Sequence, residues 1–239
     1  MPFPLALLPT IPNSFESMKG SQALQYQNTF MKNALIRALN RVHELAPRIK
    51  PASKELRQFA DYVEVVCKLF DNHIEGDELF LKRLAQETKM SYCAIKCGAT
   101  VQAALKGMRS MVETWKKDPK AYLPTRLLDA LVAMDKDINE VLHKQSVKFR
   151  PESIPKGISD DKLFELIGEN LAWIVTKVDM NLVLPFCVSH HDIKTSPHWP
   201  TVHPDAIQKE LPKLVKVHAD MWKLAPFDPL TRKALKCPV

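Results

Sequence analysis

His73 and Asp77 lie four residues apart in a stretch of sequence that is typical of an α-helix. Residues at i and i+4 share one helix face, so the two side chains could hold one ion or one substrate together. The same face carries apolar residues spaced by three, four or multiples of these, namely Leu56, Phe59, Val63, Val66, Phe70, Phe80 and Leu84. We therefore expect His73 and Asp77 to face the core, where an aspartate requires a partner.

The composition is that of an ordinary soluble globular protein. The 239 residues can form one large domain with a substantial core, and 46% are apolar and 26% charged. A net charge of +7 would suit a nucleic-acid partner. However, the 34 lysines and arginines form no basic run, and no aromatic residues are interleaved with them as stacking platforms. We expect no nucleic-acid partner.

The cysteines and the first residues predict a cytoplasmic protein. Five cysteines is an odd number, and none forms a CxxC pair. Cys93 and Cys97, four apart on a predicted helix, are interpreted as small buried thiols rather than metal ligands. The apolar start lacks a basic region and carries four prolines, so it does not resemble a signal peptide. No stretch reaches the ~20 apolar residues of a membrane span.

Helical periodicity and proline positions divide the chain into three parts. Four long amphipathic helices are predicted at residues 22–46, 53–88, 91–117 and 124–149, with Ser53 as the N-cap of the second. Their short connections predict an all-α fold, an antiparallel four-helix bundle over residues 22–150. Residues 1–21 form an N-terminal segment. Residues 151–239 form a helical extension that packs on the bundle, with helices at 160–184 and 205–224 around a Pro- and His-rich loop at 185–204.

The order of short motifs resembles that of the hemerythrin-like (HHE) bundle proteins, in particular the longer fungal-type members with a C-terminal extension. Residues 32–40 resemble the first-helix signature of that family, which normally opens with histidine. The second-helix signature matches at His73 and, conservatively, at Asp77, where the family usually has glutamate. Further similarity lies at residues 105–108, 138–147, 184–186, 191–192 and 222–226. The resemblance implies a bundle whose axis would hold a di-iron site.

The metal ligands that the resemblance implies are mostly replaced in this chain. By our placement, the positions of the other ligands hold Lys32, Val101, Leu105, Val141 and Gln145. A lysine ammonium has no lone pair to offer iron, and valine and leucine offer no ligand. His73 and Asp77 alone are too few for a di-iron centre. We therefore expect no cofactor.

The Pro- and His-rich loop leaves one metal site open as an alternative. If the loop folded over the bundle end, it could complete a mononuclear iron site. The ligands of that site would be His73, Asp77, His190, His191 and Asp192. We favour the interpretation that His191 and Asp192 brace the loop by hydrogen bonds to its backbone, as aspartate does in turns.

Apolar residues in place of metal ligands predict either a filled bundle core or an apolar pocket with a few polar groups. We expect Lys32 to replace the lost cation and to compensate Asp77. His73 could then act as a general acid or base whose tautomer Asp77 fixes, and a desolvated Lys32 as a base or amine nucleophile. The predicted substrate-binding residues are Phe70, Val101, Leu105, Val141 and Gln145.

Two classes of function follow from this site. The first is a metal-independent enzyme of isomerase, cyclase or lyase type that binds and transforms a hydrophobic small molecule, such as a secondary metabolite. The second is a non-catalytic metal- or oxygen-binding protein with iron at the residual mononuclear site. A buried Lys–Asp–His cluster can also be a relic that is neutral against an apolar replacement.

Overall fold

The computed structural model describes residues 3–11 and 17–237, and within these residues all regular secondary structure is helical. The α-helices are α1 Gly20–Leu45, α2 Lys54–Thr88, α3 Ala99–Lys117, α4 Pro124–Lys148, α5 Asp160–Lys177, α6 Met180–Ser189, α7 Leu211–Val217 and α8 Ala219–Trp222. The all-α prediction is confirmed. Parts of the predicted N-terminal segment, residues 1–2 and 12–16, lie outside the described residues. None of the described helices is long and apolar enough to cross a membrane.

Side-chain caps explain where three of the helices begin. The Ser53 hydroxyl accepts the backbone N–H of Leu56 at 3.2 Å, so the predicted N-cap of α2 is confirmed. The Ser159 hydroxyl caps α5, and the Asp179 carboxylate caps α6 by accepting the N–H of Asn181. The apolar stripe predicted along α2 is buried along its whole length.

The third helix begins eight residues later than predicted. Residues Cys93–Ile95 form a 3₁₀ turn, and Gly98 takes an extended conformation immediately before α3. Tyr92 and Ile95 are buried, so this connection is held against the core by its own side chains. The prediction that Cys93 and Cys97 lie one turn apart on a helix is therefore wrong, and Cys93 is exposed.

The C-terminal extension is more broken than its periodicity predicts. The helix predicted at 160–184 ends at Lys177, because the cap at Asp179 starts a separate helix that continues through Pro185 to Ser189. The first five residues of the predicted loop are thus helical. The helix predicted at 205–224 consists of a π-helical turn, Ala206–Glu210, followed by α7 and α8, which meet at His218.

The first four helices contact one another in chain order. α2 packs against α3, α3 against α4, and α1 contacts both α2 and α4. Lys116 of α3 pairs with Asp61 at 2.8 Å near the start of α2, whereas Arg109 pairs with Asp71 further along α2. Residue numbers therefore rise along α2 where they fall along α3, so these two helices are antiparallel.

α5 packs against both α1 and α2 at close range. At Gly76 of α2, a Cβ atom would lie 3.1 Å from the Trp173 ring, so the missing side chain permits the contact. The Asn170 amide donates to the Gly76 carbonyl oxygen at 2.8 Å. At Gly20, the first residue of α1, a Cβ atom would lie 2.4 Å from the Asp160 carbonyl oxygen of α5.

Substituting Gly20 with alanine should destabilise the fold, whereas the same change at Gly107 should stabilise it. Gly20→Ala forces α1 and α5 apart, which we expect to lower the free energy of unfolding by about 1–3 kcal/mol. Nothing lies within 4 Å of a Cβ at Gly107 in α3, so Gly107→Ala should raise it by about 0.5–1 kcal/mol. Urea-induced unfolding followed by circular dichroism measures both. Equal effects at the two positions would contradict the close α1–α5 contact.

Candidate functional site

A buried ion pair links α1 to α2. Lys32 lies on α1 and is fully buried, and its Nζ lies 3.1 Å from Asp77 Oδ2 on α2. The same ammonium lies 6.0 Å from the centre of the Phe149 ring, within the range of a cation–π contact. The expectation that Lys32 compensates Asp77 is confirmed.

His73 lies one helical turn before Asp77 and faces the same carboxylate. Its Nε2 is 3.5 Å from Asp77 Oδ2, the oxygen that also accepts from Lys32. This contact is not a hydrogen bond, so the buried Nε2 atom has no hydrogen-bond partner among the described residues. The sequence analysis assigned Lys32, His73 and Asp77 to one site, and the structure brings these three side chains together.

Lys32, His73 and Asp77 shift one another's pKa values. Burial alone would raise the pKa of Asp77, but His73 and Lys32 outweigh it and hold that pKa below its usual value. Burial lowers the pKa of Lys32, and Asp77 opposes the shift. Burial also lowers the pKa of His73 to about 4, with Asp77 opposing and Lys32 adding to the effect. At neutral pH the imidazole is therefore uncharged beside an ion pair.

Three of the five predicted substrate-binding residues line a crevice that is too small for a substrate. Phe70, Val141 and Gln145 line a space of about 10 Å³ next to His73 and Asp77, which holds one water molecule at most. Gln145 Nε2 donates to the Ile95 carbonyl oxygen at 2.7 Å, while its Oε1 has no partner in the described part of the chain. Val101 and Leu105 are fully buried on α3.

A cavity of about 400 Å³ lies on the other side of His73 and Asp77. Its walls come from α1, α2, α5, α6 and the segment around Trp199. The lining is mostly apolar and includes Met31, Phe80, Leu171, Val175, Met180 and Leu184. The Asp77 side chain is 20% exposed, whereas Lys32 is sealed beneath it, so the carboxylate is the part of the ion pair that lines this cavity.

Hydrogen bonds between polar side chains hold one wall of the cavity in place. Gln27 of α1 accepts a hydrogen bond from Trp199 Nε1 at 3.1 Å and bonds to the Thr201 hydroxyl. These bonds tie the segment of residues 199–201 directly to α1 at the edge of the cavity. Asn28, which also lines the cavity, has a buried Oδ1 without a partner in the residues that the structure describes.

Two histidines of the Pro- and His-rich region, His190 and His191, form hydrogen bonds away from this cavity. His190 Nδ1 donates to the Phe186 carbonyl oxygen at 2.9 Å, and its Nε2 accepts from the Tyr62 hydroxyl at 2.6 Å. His191 Nε2 donates to the Ser196 carbonyl oxygen at 2.7 Å, and the Asp192 carboxylate accepts the Lys194 N–H at 3.0 Å. The prediction that His191 and Asp192 brace this segment is confirmed.

The mononuclear set of His73, Asp77, His190, His191 and Asp192 does not come together. Within residues 3–11 and 17–237, no three His, Cys, Asp or Glu side chains lie close enough to hold a metal ion.

Sequence reasoning missed the residues that α5 and α6 contribute to the cavity, including Asn170, Met180 and Cys187. The sequence carried one signal, because α6 is almost entirely apolar. The structure adds a second, because Leu171 and Val175 of α5 remain exposed. Exposed apolar residues at one place often mark a binding site.

Comparison of the chain with models of protein families, with curated proteins and with solved structures found no match.

Removing the charge of Asp77 should cost much more stability than removing that of an exposed partner. Asp77→Asn leaves the Lys32 ammonium buried without its counter-ion, and we expect a loss of about 3 kcal/mol in unfolding free energy. Asp61→Asn, at the exposed pair with Lys116, should change it by less than about 1 kcal/mol. Chemical denaturation measures both. The double variant Lys32→Met/Asp77→Leu should recover most of the loss, and a double variant as unstable as Asp77→Asn would contradict this explanation.

Stability should fall as the pH drops from about 6.5 towards 4. Folding lowers the pKa of His73 to about 4, so below the ordinary histidine pKa the unfolded chain binds a proton that the folded chain does not. The contribution of neutral His73 to the free energy of unfolding is therefore complete above pH 6.5 and is lost progressively down to pH 4. In His73→Gln, the slope of unfolding free energy near pH 5 should be smaller by about 1.2 kcal/mol per pH unit. Denaturation curves between pH 4.5 and 8 measure it, and identical slopes would contradict the shift.

Proposed function

We propose that this protein binds a small, predominantly apolar molecule in the cavity between α1, α2, α5 and α6. The observation that carries the proposal is an apolar cavity of about 400 Å³ with an ion-paired carboxylate and a neutral histidine among its lining residues. Ligand sites typically have volumes of about 300–1,000 Å³ and combine an apolar lining with a few polar groups.

We also propose that α1–α4 form an antiparallel bundle of the hemerythrin-like kind, with α5–α8 as the extension. The chain-order contacts of the four helices and the opposed directions of α2 and α3 support this proposal. The positions of Lys32, His73 and Asp77 also support it, because they meet where the family resemblance would place metal ligands.

The electrostatics favour an uncharged ligand. The Lys32 ammonium and the Asp77 carboxylate neutralise each other, and His73 is uncharged at neutral pH. An ionised ligand would therefore lose its hydration without gaining a free counter-ion in the cavity. A hydroxyl, carbonyl or amide group on an apolar skeleton could instead form hydrogen bonds with Asn28, Asn170 or Thr201, which line the cavity.

A more specific proposal, which follows from the sequence, is that His73 catalyses a reaction of the bound molecule. With a pKa near 4, the ring is a weak base at neutral pH and far from the value that suits general acid–base catalysis. In this environment a neutral imidazole is suited to donating one hydrogen bond to a polarised oxygen. Isomerisation or elimination would thus require the substrate itself to supply an acidic proton.

A neutral fluorescent probe should bind the cavity and should be blocked by a side chain that fills it. We expect N-phenyl-1-naphthylamine to bind at one saturable site, and Ala172→Trp on α5 to weaken binding at least about tenfold, because Ala172 lines the cavity. Ala103→Trp is the matched control, an exposed alanine on α3. Fluorescence titration measures both variants. Equal affinity in the two variants would exclude the cavity as the binding site.

The sulfonated form of the same probe distinguishes an uncharged site from a general apolar surface. 8-Anilinonaphthalene-1-sulfonate shares the skeleton and adds one negative charge, so we expect it to bind more weakly than the neutral probe. Titration in the presence of a chelator should give the same affinities. A loss of binding on chelation would favour the metal-binding alternative.

A further inference from the structure

The N-terminal segment of residues 3–8 lies along α1 and is held there by two asparagine side chains. Asn40 Oδ1 accepts the N–H of Leu5 at 2.7 Å, and Asn40 Nδ2 donates to the Leu5 carbonyl oxygen at 2.9 Å. Asn33 repeats the arrangement with Leu8, at 2.8 and 3.0 Å. Each amide group thus bonds both polar groups of one backbone residue, as a neighbouring β-strand would.

The spacing of the two asparagines matches an extended chain. Asn33 and Asn40 are seven residues apart, about two helical turns or roughly 10.5 Å along α1. Leu5 and Leu8 are three residues apart, which spans about 10 Å in an extended segment. The order is antiparallel and continues at Phe3, whose ring stacks on His43 with centroids 4.9 Å apart and planes within 8°.

Three side chains of the segment are buried, and those between them are exposed. Phe3, Leu5 and Leu8 are buried, whereas Ala6 and Leu7 are exposed. The backbone bonds of Asn33 and Asn40 place no demand on side-chain identity, so the apolar positions supply the selectivity. Asn33 is fully buried under the segment, and its amide group would lose both partners if the segment left.

We propose that this face of α1, defined by Asn33, Asn40 and His43, is a groove for extended peptides with apolar residues at their first, third and sixth positions. Residues 3–8 occupy it as a built-in competitor. Within the described residues the segment belongs to no helix and forms no β-bridge. The groove lies on α1 residues that do not line the 400 Å³ cavity, so this inference is independent of the ligand proposed above.

A peptide added to the full-length protein tests the groove. The double variant Leu5→Asp/Leu8→Asp should release the attached segment, and a fluorescein-labelled peptide of residues 1–10 should then bind it in fluorescence anisotropy. The unaltered protein should bind the peptide at least about tenfold more weakly, because the attached segment competes at a high effective concentration. Leu7→Asp is the matched control, since Leu7 is 42% exposed, and should behave as the unaltered protein does.

Backbone methylation of the peptide separates asparagine recognition from general apolar adhesion. N-methylation at Leu5 removes the donor to Asn40 and should weaken binding by about fivefold or more, whereas N-methylation at Leu7 should not. Equal binding of the two methylated peptides would overturn the proposal. So would the absence of binding to a double variant that retains its helical circular dichroism.

Hydrogen exchange on the unaltered protein keeps the proposal testable if the double variant does not fold. The amide protons of Leu5 and Leu8 should be protected, and excess unlabelled peptide should speed their exchange by displacing the attached segment. Protection that does not change at saturating peptide would overturn the proposal.

Discussion

The contact between the Lys32 ammonium and the Asp77 carboxylate imposes a geometric demand on the whole molecule. Removing an ammonium from water costs several kcal/mol, and Lys32 has no exposed surface through which water could compensate it. Its Nζ must therefore reach Asp77 Oδ2, which fixes the relative positions of α1 and α2. The ion pair constrains how α1 and α2 align more than it adds net stability. An apolar pair of similar volume would avoid the cost of removing two charges from water.

That ion pair also determines what the site can do. By standing beside His73, the Lys32 charge adds to the effect of burial and keeps the imidazole neutral. The cavity consequently contains a carboxylate whose charge is balanced and a histidine that carries none. If the cavity binds a ligand as we propose, this arrangement favours apolar molecules with uncharged polar groups, and it offers hydrogen bonding rather than a strong base.

Polar side chains of α1 form hydrogen bonds with backbone groups of segments that are distant in sequence. Asn33 and Asn40 bond the N-terminal segment, and Arg41 donates to the carbonyl oxygens of Leu224 and Lys236 in the C-terminal tail. Unpaired backbone groups are costly to bury. These side chains therefore let irregular segments pack on a helix without regular secondary structure of their own.

The sequence by itself determined the helices α1, α2 and α4 nearly to the residue and the cap at Ser53. Periodicity and capping are local rules, so they can be applied without a fold. The pairing of Lys32 with Asp77 was expected only because the family resemblance placed Lys32 at a ligand position, where a buried carboxylate requires a partner. Only the tertiary structure decided where the cavity lies. The sequence predicted a pocket at the centre of the four-helix bundle, whereas the void opens where α5 and α6 meet α1 and α2. Voids depend on how side-chain volumes from distant segments fit together, and hydrophobic pattern carries no such information.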